Sequence, residues 1–179
     1  YSFPQDYWYI YQNYRPCSHR QLADSTATDW YEILIEVKAY TERLLRTKGA
    51  FYPWGLPHFD YSELHRDDVP NIFYYQLHNS AYVLQMCCQY YLYTRDEDYL
   101  RNYGYPVIKE IADFYAGISS IDEESGKYQI TFKPNMGQDE MGGFEKKNYL
   151  CTLTSALYSV KTAIEVSGLL GQSPDERWV

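Results

Sequence analysis

Apolar residues recur every three to four positions through long stretches of this chain, which is the pattern of α-helices that bury one face. Three of these stretches cover about 29–47, 71–94 and 147–170. A fourth begins at Asp96, and the single residue Arg95 before it predicts an antiparallel helical hairpin in which Asp96 caps the second helix. Pro106 predicts a kink or break in that helix after Gly104, because proline lacks the N–H that helical bonding requires.

A short β segment and long loops interrupt the helices. Residues 127–132 alternate between polar residues and β-branched or aromatic ones, which predicts a strand after a turn at 122–126. Residues 50–70 form a loop rich in proline and aromatic residues, and loops of this length commonly build a site. The sequence therefore predicts an all-α fold, an α/α toroid of helical hairpins with a β excursion near 127–133. These helices are too few to close a ring, so we expect residues 1–179 to form a single partial barrel domain.

Composition restricts the partners of the chain. The net charge is −8 and the isoelectric point is near 4.9, which argues against a nucleic-acid partner, since phosphate binding requires clustered Lys and Arg. No apolar stretch approaches the roughly 20 residues that cross a bilayer, so we expect no membrane span. The four cysteines show neither a disulfide nor a zinc-ligand spacing, so free thiols are expected. No metal or other cofactor is predicted, and the localisation stays open.

The polar turn at 135–140 ends in two adjacent carboxylates, Asp139 and Glu140, between the predicted strand and the last helix. A proton donor needs a carboxyl group held at a defined place beside a cleft, and a loop between rigid elements provides such a place. Two acidic residues in a turn are more commonly part of a solvated loop. The acidic pair by itself leaves both interpretations open.

Several short motifs follow one another along the chain. They are Gly49-Ala50-Phe51-Tyr52-Pro53-Trp54, Gln76-Leu77-His78, Tyr90-Tyr91-Leu92-Tyr93-Thr94-Arg95-Asp96, Gly137-Gln138-Asp139-Glu140 and Asn148-Tyr149. In order and spacing they resemble the six-hairpin glycosidases of glycoside hydrolase family 65, which includes trehalose, maltose and kojibiose phosphorylases, acid trehalases and glucosyl-hydroxylysine glucosidase. The segment Gln5-Asp6-Tyr7-Trp8 is faintly similar to a Trp-Asp-x-Asp segment of that family. The resemblance implies that the chain is part of an (α/α)6 catalytic barrel.

The resemblance also implies roles for individual residues. Glu140 matches the family's general acid, and the implied reaction is inverting cleavage of a glycosidic bond, by hydrolysis or by phosphorolysis with inorganic phosphate as co-substrate. The base or the phosphate pocket would come from the remainder of the barrel. Departures from the family pattern at Gln76, Gln138 and Met141-Gly142 leave the sugar and the linkage open. The residues implied to bind the oligosaccharide or glycoside substrate are Asp139, Trp54, His78, Asp6 and Asn148.

Each of these residues has a structural interpretation as well. Trp54 could be a packed loop anchor, His78 a hydrogen-bonded helix residue, and Asn148 the cap of the last helix. An alternative function of another class is a non-catalytic helical scaffold that binds carbohydrate or a protein partner. A carboxylate or an anion-binding loop facing Glu140 would favour the enzyme.

Overall fold

Two helices open the described part of the chain, whereas the sequence predicts one over 29–47. The computed structural model describes residues 20–54, 75–133, 135 and 147–179. Helix α1 spans Arg20–Glu32 and helix α2 spans Leu34–Leu45, and Ile33 separates them with φ −93° and ψ 3°. The prediction of one helix over 29–47 is wrong at its start, because small and polar residues on the buried face of α1 weaken the apolar period. These residues include Ala23, Thr26 and Ala27.

The predicted hairpin is present. A 3-10 turn at Leu77–Asn79 leads into α3 (Ser80–Thr94), which is followed by α4 (Glu97–Tyr99), a π-helical turn (Leu100–Gly104) and α5 (Tyr105–Ile118). The Asp96 carboxylate accepts the backbone N–H of Tyr99 at 2.8 Å, which confirms the cap. The backbone stays helical across Gly104 and Tyr105, where π geometry changes to α, so the helix does not break there. Pro106 lies in the first turn of α5, where a missing N–H costs little.

The β excursion is shorter than predicted. Strand β1 (Ser120–Ile121) pairs antiparallel with β2 (Tyr128–Gln129), whereas the sequence predicts a strand over 127–132. The turn between them is confirmed, since the N–H of Gly126 donates to the carbonyl of Asp122 at 2.8 Å. Beyond β2 the backbone of Ile130 bonds to Asn148 and not to a strand.

The last long helix, α6, spans Leu150–Leu169 and begins three residues later than the predicted 147. Gly171 ends it: its φ is 71° and its N–H donates to the carbonyl of Gly168 at 3.1 Å. Helices α5 and α6 run antiparallel. Tyr105 at the start of α5 lies beside Ser167 near the end of α6, and Tyr115 near the end of α5 lies beside Ser155 near the start of α6. Small residues on α6 allow this close packing. They include Ala156, Ser159 and Ala163.

A final 3-10 turn at Glu176–Trp178 is held against α5 by one buried carboxylate. Asp113 accepts Arg177 Nη2 at 2.7 Å, the Trp178 indole N–H at 3.1 Å and Lys109 Nζ at 2.8 Å. Three donors satisfy a carboxylate that is 5% exposed, as a buried charge requires. The end of the described chain is therefore fastened to the middle of α5.

Membrane spans, metal sites and disulfides are features that the sequence does not predict. Within the described ranges, no helix is long and apolar enough to cross a membrane, and no three His, Cys, Asp or Glu side chains gather as a metal site. Cys87, Cys88 and Cys151 are free thiols, as predicted, and Cys17 lies outside the described residues. The organisation of residues 1–179 as one partial domain stays a prediction.

A substitution at Gly49 tests how closely the loop after α2 approaches α5. A Cβ at Gly49 would lie 2.3 Å from the backbone nitrogen of Phe114, and the φ of Gly49 is 91°. We expect Gly49→Ala to lower the free energy of unfolding by about 3 kcal/mol or more, because a clash with backbone adds to the left-handed strain. Urea denaturation of the full-length protein measures the change.

Gly126 provides the matched control for this substitution. Its φ is 66°, but a Cβ there meets nothing within 4 Å. Gly126→Ala should therefore cost about 1 kcal/mol, from the backbone conformation alone. Equal decreases in the free energy of unfolding of the two variants would show that the close approach of Gly49 to α5 adds no steric cost.

Candidate functional site

The segment that starts at Gly49 is fastened to α2 and α5. The N–H of Ala50 donates to the carbonyl of Glu110 at 2.8 Å, and the N–H of Phe51 donates to the Thr41 hydroxyl at 2.8 Å. The ring of Phe51 stacks on that of Phe114 with centroids 5.2 Å apart. Both rings are fully buried, so this part of the loop belongs to the core.

Tyr52 continues the segment towards the start of α3. Its N–H donates to the Ser80 hydroxyl at 2.9 Å, and its hydroxyl donates to the carbonyl of Trp30 at 2.7 Å. The rings of Tyr52 and Trp30 meet edge to face at 5.9 Å. Trp54 follows two residues later and is half-buried.

His78 lies in the 3-10 turn before α3 and is 2% exposed. Its ring lies edge-on to Tyr82 with centroids 6.4 Å apart. The neighbouring amides Gln76 and Asn79 are also buried, and Asn79 Nδ2 donates to the carbonyl and to the Oε1 of Gln76 at 3.1 and 3.2 Å. An imidazole and two amides thus share one tight, buried turn.

Tyr115 holds this turn in place from α5. Its hydroxyl donates to the carbonyl of Leu77 at 2.7 Å and lies within bonding reach of Ser155 on α6. Burial raises the pKa of Tyr115 above its ordinary value, so the hydroxyl stays protonated and keeps donating. The start of α3, the last turns of α5 and the first turns of α6 therefore meet at the same end of the helices.

Asn148 makes contacts other than the predicted cap. The residue that caps α6 is Tyr149, whose side chain makes no capping bond, so the interpretation of Asn148 as the helix cap is wrong. Its Oδ1 accepts the N–H of Ile130 at 2.8 Å, and its own N–H donates to the carbonyl of Ile130 at 2.8 Å. The left-handed backbone of Asn148, with φ 57°, turns its side chain back to the strand segment before the helix begins.

Asn135 and Thr152 form a second polar contact near the start of α6. Both are fully buried, and the Thr152 hydroxyl donates to Asn135 Oδ1 at 3.2 Å. Three buried amide atoms make no hydrogen bond within the described parts of the chain: Gln76 Nε2, Asn79 Oδ1 and Asn135 Nδ2. Buried amide groups normally make hydrogen bonds with both their nitrogen and their oxygen. These three atoms can therefore bond a polar group that enters this end of the helices.

The sequence-predicted site residues divide into two sets. His78 lies in the 3-10 turn just before α3, and Asn148 lies just before α6. Trp54 lies two residues after Tyr52, whose N–H bonds the Ser80 hydroxyl at the first residue of α3. Asp6, Asp139 and Glu140 lie outside the described residues. Sequence reasoning missed Asn79, Asn135 and Thr152 as site neighbours. The helical period could have indicated only Thr152, a polar residue on the buried face of α6.

Antiparallel helical hairpins whose connections gather buried polar side chains at one end define this chain as a segment of an α/α toroid. The glycosyl hydrolase family 65 central catalytic domain matches residues 33–175. The chain therefore belongs to glycoside hydrolase family 65, as its motifs suggest.

Two relatives support this assignment. A kojibiose hydrolase from Mucilaginibacter mallensis is 28% identical over 163 residues, which cover 89% of this chain and 23% of the relative. A solved structure of a protein from the human microbiome, provisionally named kojibiose phosphorylase, matches with a TM-score of 0.61 and 21% identity over 82% of this chain and 20% of that one. The chain thus spans about a quarter of its curated relative, and the structural match supports the fold.

Tyr115 offers a test of how the buried turn is held. Tyr115→Phe keeps the ring but leaves the carbonyl of Leu77 buried without this donor. We expect the free energy of unfolding to fall by about 1 to 3 kcal/mol, the cost of an unsatisfied buried acceptor. Tyr128→Phe is the control, because Tyr128 is 68% exposed and its hydroxyl can bond water. Equal stability of the two variants in urea denaturation would show that the Tyr115 bond does not hold the turn.

Proposed function

We propose that the enzyme containing this chain cleaves a glycosidic bond with inversion at the anomeric carbon, with Glu140 as the general acid. The observation that carries the proposal is the family match over residues 33–175, which includes the Gly137-Gln138-Asp139-Glu140 motif. Support comes from the buried polar groups at one end of the helices, because sugar sites need fixed donors and acceptors beside aromatic surfaces.

In this reaction Glu140 donates its proton to the glycosidic oxygen as the bond from that oxygen to the anomeric carbon breaks. A nucleophile attacks the anomeric carbon from the opposite face. In a hydrolase it is water, whose proton passes to a carboxylate base. In a phosphorylase it is an oxygen of inorganic phosphate, and the product is a sugar phosphate. The base or the phosphate site would come from parts of the enzyme beyond this chain.

The substrate-binding residues have distinct proposed tasks. Trp54, which is half-buried, would stack on the C–H face of the sugar. His78, held in its buried turn, would bond a sugar hydroxyl through a ring nitrogen. Asp139 and Asp6 would accept hydrogen bonds from other hydroxyls, and the amide nitrogen of Asn148 is a further donor. Each task follows from the motif resemblance and the chemistry of the side chain.

Kojibiose is the first substrate to test. One relative is named as a hydrolase of this disaccharide and one as a phosphorylase. Their names differ in the acceptor of the glycosyl unit, so the acceptor has to be determined by experiment for this enzyme.

The experiment is turnover of a panel of α- and β-linked disaccharides, including kojibiose, by the full-length enzyme with and without phosphate, followed by NMR. Glu140→Gln keeps the shape of the side chain but cannot donate the proton, and we expect kcat to fall at least about 100-fold. The anomer of the first-formed product should be inverted. A strict phosphate requirement would identify a phosphorylase.

Glu123→Gln is the matched control, because Glu123 is exposed in the turn between β1 and β2 and should leave kcat unchanged. Full activity of Glu140→Gln, or retention of the anomeric configuration, would contradict the proposal. Sugar binding without cleavage of any disaccharide would favour the alternative, a non-catalytic carbohydrate-binding scaffold.

A further inference from the structure

We propose that the side-chain amides of Gln76 and Asn79 form a binding site for a hydroxyl group, which accepts a hydrogen bond from Gln76 Nε2 and donates one to Asn79 Oδ1. Two sources can supply this group: a hydroxyl of the sugar substrate or an enclosed water molecule. The sugar source rests on the proposed function, and it makes the amide pair a determinant of which sugar the enzyme takes. The water source does not depend on the proposed function.

The two amides are bonded to each other in an orientation that their partners fix. Asn79 Nδ2 donates to the backbone carbonyl of Gln76 at 3.1 Å and to its side-chain Oε1 at 3.2 Å. Exchanging the nitrogen and oxygen of the Asn79 amide would place an oxygen against these two oxygens, and exchanging those of Gln76 would place a donor against a donor. Gln76 Nε2 and Asn79 Oδ1 are therefore the two atoms that the pair leaves over.

These two atoms are buried and make no hydrogen bond within the described ranges of the chain. Both side chains are closed to solvent, and neither Gln76 Nε2 nor Asn79 Oδ1 has a partner there. Such atoms are rare in folded proteins, because a buried donor or acceptor without a partner has lost the hydrogen bond that it makes with water in the unfolded chain. A donor and an acceptor thus stand ready on adjacent side chains of one turn.

A donor beside an acceptor selects the chemical class of the ligand. An anion brings no hydrogen to Asn79 Oδ1, and an ammonium group brings no lone pair to Gln76 Nε2. A charge would also be costly to bury here, because the described polar neighbours of the turn, Ser80, Tyr115 and Ser155, are uncharged. A hydroxyl group is small and neutral, and it accepts and donates at once.

The turn that carries the pair is held in place. The backbone N–H of Asn79 donates to the carbonyl of Gln76 at 3.2 Å, and the Tyr115 hydroxyl donates to the carbonyl of Leu77 at 2.7 Å. The pair also flanks His78, whose ring is proposed to bond a sugar hydroxyl, and this position favours the sugar source. The burial of both amides favours the enclosed water, so the experiment has an arm for each source.

The first arm is a double-mutant cycle between Gln76 and the hydroxyls of the substrate. kcat/KM is measured for full-length wild type and Gln76→Met on kojibiose, or on the disaccharide that the panel identifies, and on analogues that each lack one hydroxyl of the glycosyl unit. For a sugar source, we expect wild type to lose at least about 100-fold on one analogue and Gln76→Met to lose a similar factor on the parent sugar. That analogue should cost Gln76→Met less than about 3-fold more, because the bond is already gone.

Gln172→Met is the matched control, because it makes the same change at an exposed glutamine. It should follow wild type on the parent disaccharide and on every analogue. Thermal melting verifies that each variant is folded.

The second arm needs no variant. It is a crystal structure of the full-length wild-type enzyme, with and without the disaccharide, at a resolution that shows ordered water. For a water source, we expect one water oxygen within about 3.2 Å of both Gln76 Nε2 and Asn79 Oδ1, and no analogue whose loss depends on Gln76.

The outcomes decide the inference and its source. Coupling of Gln76 to one analogue supports the site and identifies the sugar, and a water oxygen bonded to both atoms supports the site and identifies water. The inference is overturned if no analogue couples to Gln76 and no sugar or water oxygen lies within hydrogen-bonding distance of both atoms in the crystal structure.

Failure of the proposed function gives a different result. Full activity of Glu140→Gln would remove the general acid, whereas the coupling at Gln76 and the crystal structure would still decide the amide site. If the enzyme cleaves no disaccharide at all, the proposed function fails and the crystal structure alone decides whether the pair binds a hydroxyl group.

Discussion

The close approach of Gly49 to α5 is the constraint on which the rest of this structure depends. Backbone meets backbone there, because a Cβ at Gly49 would lie 2.5 Å from the carbonyl oxygen of Glu110. That approach lets the N–H of Ala50 reach the same carbonyl at 2.8 Å and brings Phe51 onto Phe114. Burying a large aromatic side chain contributes about 2 to 3 kcal/mol, so the segment that leads to the candidate site is part of the core itself.

Polar contacts between distant parts of the chain then organise the end of the helices where the candidate site lies. The Tyr115 hydroxyl holds the turn before α3, the Thr152 hydroxyl holds Asn135, and Asn148 holds Ile130. Buried hydrogen bonds specify one arrangement more strictly than apolar contacts do, because any shift leaves a donor or acceptor unpaired. A sugar presents a fixed pattern of hydroxyl groups, and the proposed sugar site would need a rigid polar frame of this kind.

Local signals account for the parts of the fold that sequence reasoning predicted correctly. The Asp96 cap and the turn at 122–126 each depend on residues close together in the sequence. Predictions that depended on distant partners were less successful. Helix α1 was missed because its buried face contacts other elements through small and polar residues, and the strand was drawn too long because Ile130 bonds to Asn148 instead.

The sequence by itself determined the helical class, the hairpin and the family. The apolar period, the helix caps and the ordered motifs depend on residues close together in the sequence and not on how the helices pack. It also predicted Trp54 and His78 as substrate-binding residues, through motifs that occur in the same order as in the family, and that role stays a prediction. Only the tertiary structure decided which contacts Asn148 makes. Its partner Ile130 is 18 residues away, and the N-cap residue of α6 is Tyr149 and not Asn148. Side-chain partners across such distances are chosen by how the helices pack, and packing is a property of the whole chain.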